Sequence, residues 1–228
     1  MRKRYYLAVL FVFILLGCTT NDNTPDEAGP KTTINVNIGN EPPTLDWSLA
    51  MDSTSYTVLN NLMEGLTKFD ESLEPQPALA QSWEVSEDGT TYTFMIREGV
   101  KWSDGQPLTA QDFEYSWKRI LNPATGGHYA YFLYDIDNAE KYNTGKIDDP
   151  DQVGVKSLDD QTLEVKLRRQ ASYFPSLLVF MSTFPMRQDI VEAHGIRWTE
   201  PENIVTVGPY KLSSWRHHDN MLLTINEN

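Results

Sequence analysis

Residues 78–121 read ALAQSWEVSEDGTTYTFMIREGVKWSDGQPLTAQDFEYSWKRIL. Trp83 and Val85 alternate with polar neighbours, Glu87-Asp88-Gly89 supplies a turn, and Tyr92, Phe94 and Ile96 alternate again. Successive strand side chains point to opposite faces, so period two on both sides of a glycine-containing turn predicts a β-hairpin with one buried face. After a second turn at Ser103-Asp104-Gly105, Thr109 can cap a helix, and Asp112 three positions on can reach back to it in a capping box. Phe113, Trp117 and Ile120 then share one helical face. Asn122-Pro123 ends it, because proline forbids α geometry to the residue before it.

The same signals recur on either side. Downstream, Gly126-Gly127 precedes an aromatic cluster of Tyr129, Tyr131, Phe132 and Tyr134. Val153 and Val155, the Asp159-Asp160 turn, and Leu163, Val165 and Leu167 predict a second hairpin. An apolar stretch runs over 174–180, a helix is expected over 190–193 with Gly195 as its stop, and 221–225 has a strand pattern. Upstream, Ile34, Val36 and Ile38 alternate as a strand, ended by Gly39 and Pro42-Pro43. Val58, Leu59, Leu62 and Met63 give a helix one apolar face, and Gly65 is placed to end it. Strands and helices mix without a regular βαβ period, so the class is mixed α/β.

The first 17 residues have the layout of a cleaved export signal: Arg2, Lys3 and Arg4, then an apolar run, then Gly17-Cys18. Leu15-Leu16-Gly17-Cys18 resembles the lipobox of bacterial lipoproteins, in which the cysteine carries lipid. Residues 19–30 contain no apolar side chain larger than Ala or Pro, so 18–30 is expected to be a flexible tether. Cys18 is the one cysteine, so no disulfide can form within the chain and stability rests on a core. Of 19 basic and 32 acidic side chains, the leader holds three basic and no acidic ones. A mature chain would carry 16 against 32, a formal charge of −16, which makes nucleic acid a poor partner.

Signs of catalysis are missing from the sequence. It has no Gly-x-Ser-x-Gly elbow, no His-Glu-x-x-His helix, no phosphate-binding glycine loop and no dinucleotide fingerprint. His217 and His218 are adjacent, so on a strand they would face opposite ways and could not readily share a metal. Asp149, Asp151, Gly154 and Asp160 match four places of a calcium loop, but Val153 stands where an oxygen ligand is needed. Neither enzyme chemistry, a cofactor nor a metal is expected.

Residues 78–121 resemble the signature region of the extracellular solute-binding proteins of family 5, the peptide- and nickel-binding components of bacterial ABC importers. Glu41-Pro42-Pro43-Thr44-Leu45-Asp46, Glu64-Gly65-Leu66, Asn122-Pro123-Ala124-Thr125, Val153-Gly154-Val155-Lys156 and Gly208-Pro209-Tyr210-Lys211-Leu212 add to the likeness, which extends over 31–228. The resemblance implies a periplasmic-binding-protein-like two-lobe fold (type II, cluster C-like). It assigns 31–64 and 184–228 to ligand-binding lobe I and 65–183 to a small second domain. The opposite lobe is expected outside this chain, so that no closed ligand site is expected within 1–228. It also implies a monomer that captures short peptides and hands them to a permease driven by separate ATPase subunits. The same fold can hold nickel, haem or another small solute, and an adhesion or scaffold lipoprotein without transport is a further alternative. By position, Met51, Asp52 and Ser53 would run along a bound peptide, and Tyr129 would face it. Backbone groups bind any peptide alike, so such contact is independent of side chains.

Stable membrane attachment requires more than one acyl chain or a second signal. Replacing Cys18 with Ser is therefore expected to release the protein from the membrane fraction, as measured by fractionation and immunoblotting; equal retention would exclude the anchor.

Overall fold

A computed structural model of the protein describes residues 33–228. The leader, Cys18 and the tether lie outside the described residues. The chain divides between Asn37 and Ile38 into two units. In the first, residues 33–37 form no helix or strand, so the strand expected over 34–38 is absent, and Ile34 and Val36 are exposed. Alternation selects a face but does not by itself form the ladder that makes a strand.

In the second unit, helix α1 (Ser53–Leu62) is followed by strands β1 (Thr67–Phe69) and β2 (Pro75–Pro77), then β3 (Ala80–Val85) and β4 (Thr91–Ile96). Helix α2 (Ala110–Leu121), helix α3 (Ala139–Asn143), strands β5 (Val155–Ser157) and β6 (Thr162–Lys166), and helices α4 (Phe174–Leu177) and α5 (Gln188–His194) come next. Strands β7 (Tyr210–Arg216) and β8 (Asn220–Ile225) close the described chain as one hairpin, where the sequence pattern had marked only the second strand.

The two predicted hairpins join into one antiparallel sheet in the order β3-β4-β6-β5. Strand β4 lies inside it, pairing Phe94 with both Trp83 and Leu163. Tyr92, Phe94 and Ile96 are buried on one face with Leu163, Val165 and Val155, while Val85 is left exposed. Helix α2 packs on β5 and β6. Its buried residues Phe113, Ser116, Trp117, Ile120 and Leu121 recur at helical spacing.

The polar atoms of that face all find partners. Ser116 Oγ donates to the Phe184 carbonyl at 2.6 Å, and Trp117 Nε1 donates to the Thr183 carbonyl at 2.8 Å, so α2 holds residues 183–184 against itself. At its start, Asp112 accepts from the Thr109 N–H at 2.9 Å and from Trp102 Nε1 at 3.2 Å. Burial pushes the Asp112 carboxyl above the usual range and outweighs these two donors. On the outer side, Glu114 accepts from Ser157 N–H at 2.7 Å and pairs with Lys118 at 2.7 Å, tying α2 to β5.

Two glycines act through close approach. Helix α1 ends at Leu62 with Met63 extended, ahead of Gly65. Gly65 does not cap it; instead a Cβ there would run into the Leu178 carbonyl. Gly208 lies against the end of α1, where a Cβ would stand 2.7 Å from the Met63 nitrogen. The apolar stretch 174–180 forms only the four-residue α4, with Pro175 in its first turn. Helix α5 stops at Gly195 as expected, with φ 53°.

His217 and His218 do not face opposite ways. His218 lies in the β7–β8 turn with φ 63°, so the strand alternation does not apply there. Both Nδ1 atoms reach the Glu41 carboxylate, at 2.6 and 2.9 Å. Trp215 Nε1 donates to Glu41 at 2.9 Å, and His217 Nε2 lies 3.6 Å from Glu200. This clasp joins the hairpin to residue 41. The hydrogen bond from His217 holds the Glu41 carboxyl below its ordinary 4.5, and the same bond raises His217 above its ordinary 6.5.

The lowered Glu41 contributes stability that is complete above 4.5 and lost as pH falls through its folded value. The raised His217 contributes stability that is complete below 6.5 and lost as pH rises through its folded value. The destabilisation caused by Glu41→Gln is thus expected to be greatest between these two values and to shrink on either side. Urea midpoints measured across a pH series test this; a difference that does not vary with pH would show that the clasp carries no titration linkage.

Candidate functional site

The segment before Met51 is fixed by a buried carboxylate. Asp46 accepts from both arms of the Arg119 guanidinium, Oδ1 at 2.9 Å and Oδ2 at 2.6 Å, and from Trp198 Nε1 at 3.3 Å. The Ser48 N–H donates to the same carboxylate at 3.0 Å, and the N–H groups of Leu49 and Ala50 donate to the Asp46 carbonyl. Trp47 meets Trp198 edge-on at 4.7 Å, and the guanidinium lies 5.9 Å from the Trp198 ring. A bidentate pair of this kind fixes direction as well as distance. The backbone therefore leaves Ala50 along a set path.

Met51, Asp52 and Ser53 follow at the surface, Met51 half exposed. Asp52 is the N-cap of α1: it accepts from the Ser55 N–H at 2.9 Å and from the Ser55 hydroxyl at 2.7 Å. Partial burial works to raise the Asp52 carboxyl, but these bonds outweigh it and hold it below the usual range. Its charge is thus turned toward the helix. Ser53 is the first helical residue, where a backbone N–H has no partner inside the helix.

Tyr129 stands beside this segment, its hydroxyl donating to the Met51 carbonyl at 3.3 Å. All four residues singled out from the sequence therefore lie together, although Met51 and Tyr129 are 78 positions apart. Three neighbours were not singled out as site residues. Phe180 stacks on Phe132 at 4.6 Å and on Tyr56 at 5.8 Å, and Tyr129 meets Phe180 edge-on at 5.1 Å. The signal for Tyr56 was its place off the apolar face of α1. Phe180 carried none beyond its apolar neighbours. Among the described residues, no group of three or more His, Cys, Asp or Glu side chains is arranged to hold a metal.

A mixed α/β core that presents a pinned backbone segment beside an open aromatic surface has the form of a binding protein. The chain belongs to the bacterial extracellular solute-binding proteins, family 5, whose middle region matches residues 74–228. It is 40% identical to the dipeptide-binding protein DppE of Bacillus subtilis over 225 residues, 95% of this chain and 41% of that protein. It is likewise 40% identical to the oligopeptide-binding protein OppA of the same organism over 238 residues, covering 43% of it. The crystal structure of the substrate-binding domain of an oligopeptide ABC transporter from Bacillus anthracis superposes with a TM-score of 0.80 at 39% identity, covering 82% of this chain and 36% of that one. The chain thus spans about two fifths of the length of the curated relatives it matches. The family is one of exported solute binders, not of enzymes.

Removing one partner of a buried pair leaves an uncompensated charge, at a cost of about 3–5 kcal/mol. Arg119→Met is expected to lower stability by about that much in urea unfolding followed by tryptophan fluorescence. The Asp46→Asn/Arg119→Met double variant should lose less than the sum of the two singles; strict additivity would show that the pair is uncoupled.

Proposed function

We propose that this chain is part of the substrate-binding subunit of an ABC importer that captures short peptides. Its relatives named for dipeptides and oligopeptides favour that class over nickel, haem or another solute. In this reading lipid on Cys18 anchors the subunit, residues 31–64 and 184–228 belong to one lobe, 65–183 form a small domain, and the opposite lobe comes from sequence outside this chain. The subunit acts as a monomer and passes its peptide to permease and ATPase partners.

The observation that carries the proposal is the pinned exit from Asp46, which delivers the backbone of Met51, Asp52 and Ser53 to the surface beside Tyr129. Peptide backbone held along that segment would be bound without regard to its side chains. A subunit built this way needs no chemistry of its own.

Ser53 offers a sharp test, because proline is tolerated at the first helical position and the preceding Asp52 already has the extended geometry proline requires. Ser53→Pro deletes one N–H and leaves the Asp52 cap in place. In the full-length protein, affinity should fall about 2- to 10-fold for peptides of unrelated sequence alike, the range of one net hydrogen bond. Titration calorimetry measures it. A loss confined to one peptide, or none, would remove the backbone contact from the proposal.

A further inference from the structure

Five aromatic rings from three separated parts of the chain converge beside Met51. Phe180 stacks on Phe132, at 4.6 Å and 10°, and on Tyr56, at 5.8 Å and 25°. Tyr129 stands edge-on to Phe132 at 5.7 Å and to Phe180 at 5.1 Å, and Tyr131 leans on Phe132 at 5.0 Å. None of the five is fully buried, and Tyr56 and Tyr131 are exposed at 38% and 55%. Tyr129 and Phe180 pack against the core, but ring burial is among the largest stabilising terms available to a fold, and the exposed area of Tyr56 and Tyr131 beside exposed Met51 is left unused by it.

The nearest carboxylate in sequence, Asp52, is engaged by the Ser55 N–H and hydroxyl. The Tyr129 hydroxyl points to the Met51 carbonyl and so couples the rings to the backbone segment. The shelf therefore offers ring faces and edges beside a carboxylate whose hydrogen bonds are already taken up by Ser55.

Resting on the peptide-capture reading, we propose that the shelf of Tyr56, Tyr131, Phe132 and Phe180 is a side-chain subsite that receives an apolar, preferably aromatic, side chain of the bound peptide. Backbone held along residues 51–53 places the neighbouring side chain within reach of the rings. A ring arriving there can stack on or meet edge-on the exposed aromatics at the 4.5–7 Å such pairs prefer. Lysine or glutamate at that position gains nothing from the rings, because it would have to shed water against their apolar surface.

The test is calorimetric titration of the full-length protein with alanine pentapeptides carrying a single Phe, Lys or Glu at each position in turn. One Phe position is expected to bind about tenfold more tightly than all-alanine, with Lys and Glu there no better than alanine. Phe180→Leu, which keeps apolar volume and deletes the ring, should reduce the Phe advantage over all-alanine to about threefold or less. Tyr131→Ala removes an exposed ring with no core role and should act in the same direction.

A Phe advantage unchanged in both variants would overturn the subsite, as would a preference for Lys or Glu at the Phe position. An equal loss for every peptide would also overturn it, reducing the rings to a support. All-alanine binding with no Phe advantage would overturn the subsite and leave peptide capture standing. Failure of the unaltered protein to bind any of the peptides would overturn both.

Discussion

The carboxylate of Asp46, enclosed by the Arg119 guanidinium and the Trp198 indole, ties three parts of the chain to one point. Arg119 comes from the last turn of α2, Trp198 follows α5, and Asp46 stands just before the surface segment. With Asp46 and Arg119 largely withdrawn from water, neither charge is tolerable alone. Their mutual geometry is therefore a constraint on where each segment lies, more than a gain in stability.

Helix α2 carries that constraint into the core. One face holds Phe113, Trp117 and Ile120 against the sheet, and two polar atoms on it, Ser116 Oγ and Trp117 Nε1, fasten residues 183–184. Phe180 lies just ahead of that fastened stretch. The same helix therefore orients Asp46 through its charged end and the Phe180 region through its buried face. The backbone segment and the aromatic rings beside it share one rigid support.

This division suits a binding protein. Burial and paired charges sit behind the surface, and what reaches it is backbone, ring faces and a carboxylate already engaged in capping. A surface prepared in advance spends less of its binding energy on ordering itself. The clasp at Glu41 works similarly for the β7–β8 hairpin, holding it by one carboxylate shared among Trp215, His217 and His218.

The sequence by itself determined the elements whose causes are local. The Tyr92, Phe94, Ile96 alternation, the reach of Asp112 back to Thr109, the Phe113, Trp117, Ile120 face and the halt at Gly195 each depend on neighbours a few positions away, and each forms as the pattern implies. Resemblance supplied Met51, Asp52, Ser53 and Tyr129 as candidates, but not their geometry. Tertiary structure alone decided the rest. The strand expected over 34–38 does not form, Gly65 answers to the carbonyl of Leu178 rather than to its own helix, and a turn residue with positive φ brings His218 to the same carboxylate as His217. Asp46, Arg119 and Trp198 are 73 and 152 positions apart, and so are invisible to any periodicity. Such contacts arise only once the core has closed, because burial is what makes a distant charge or ring the best partner available.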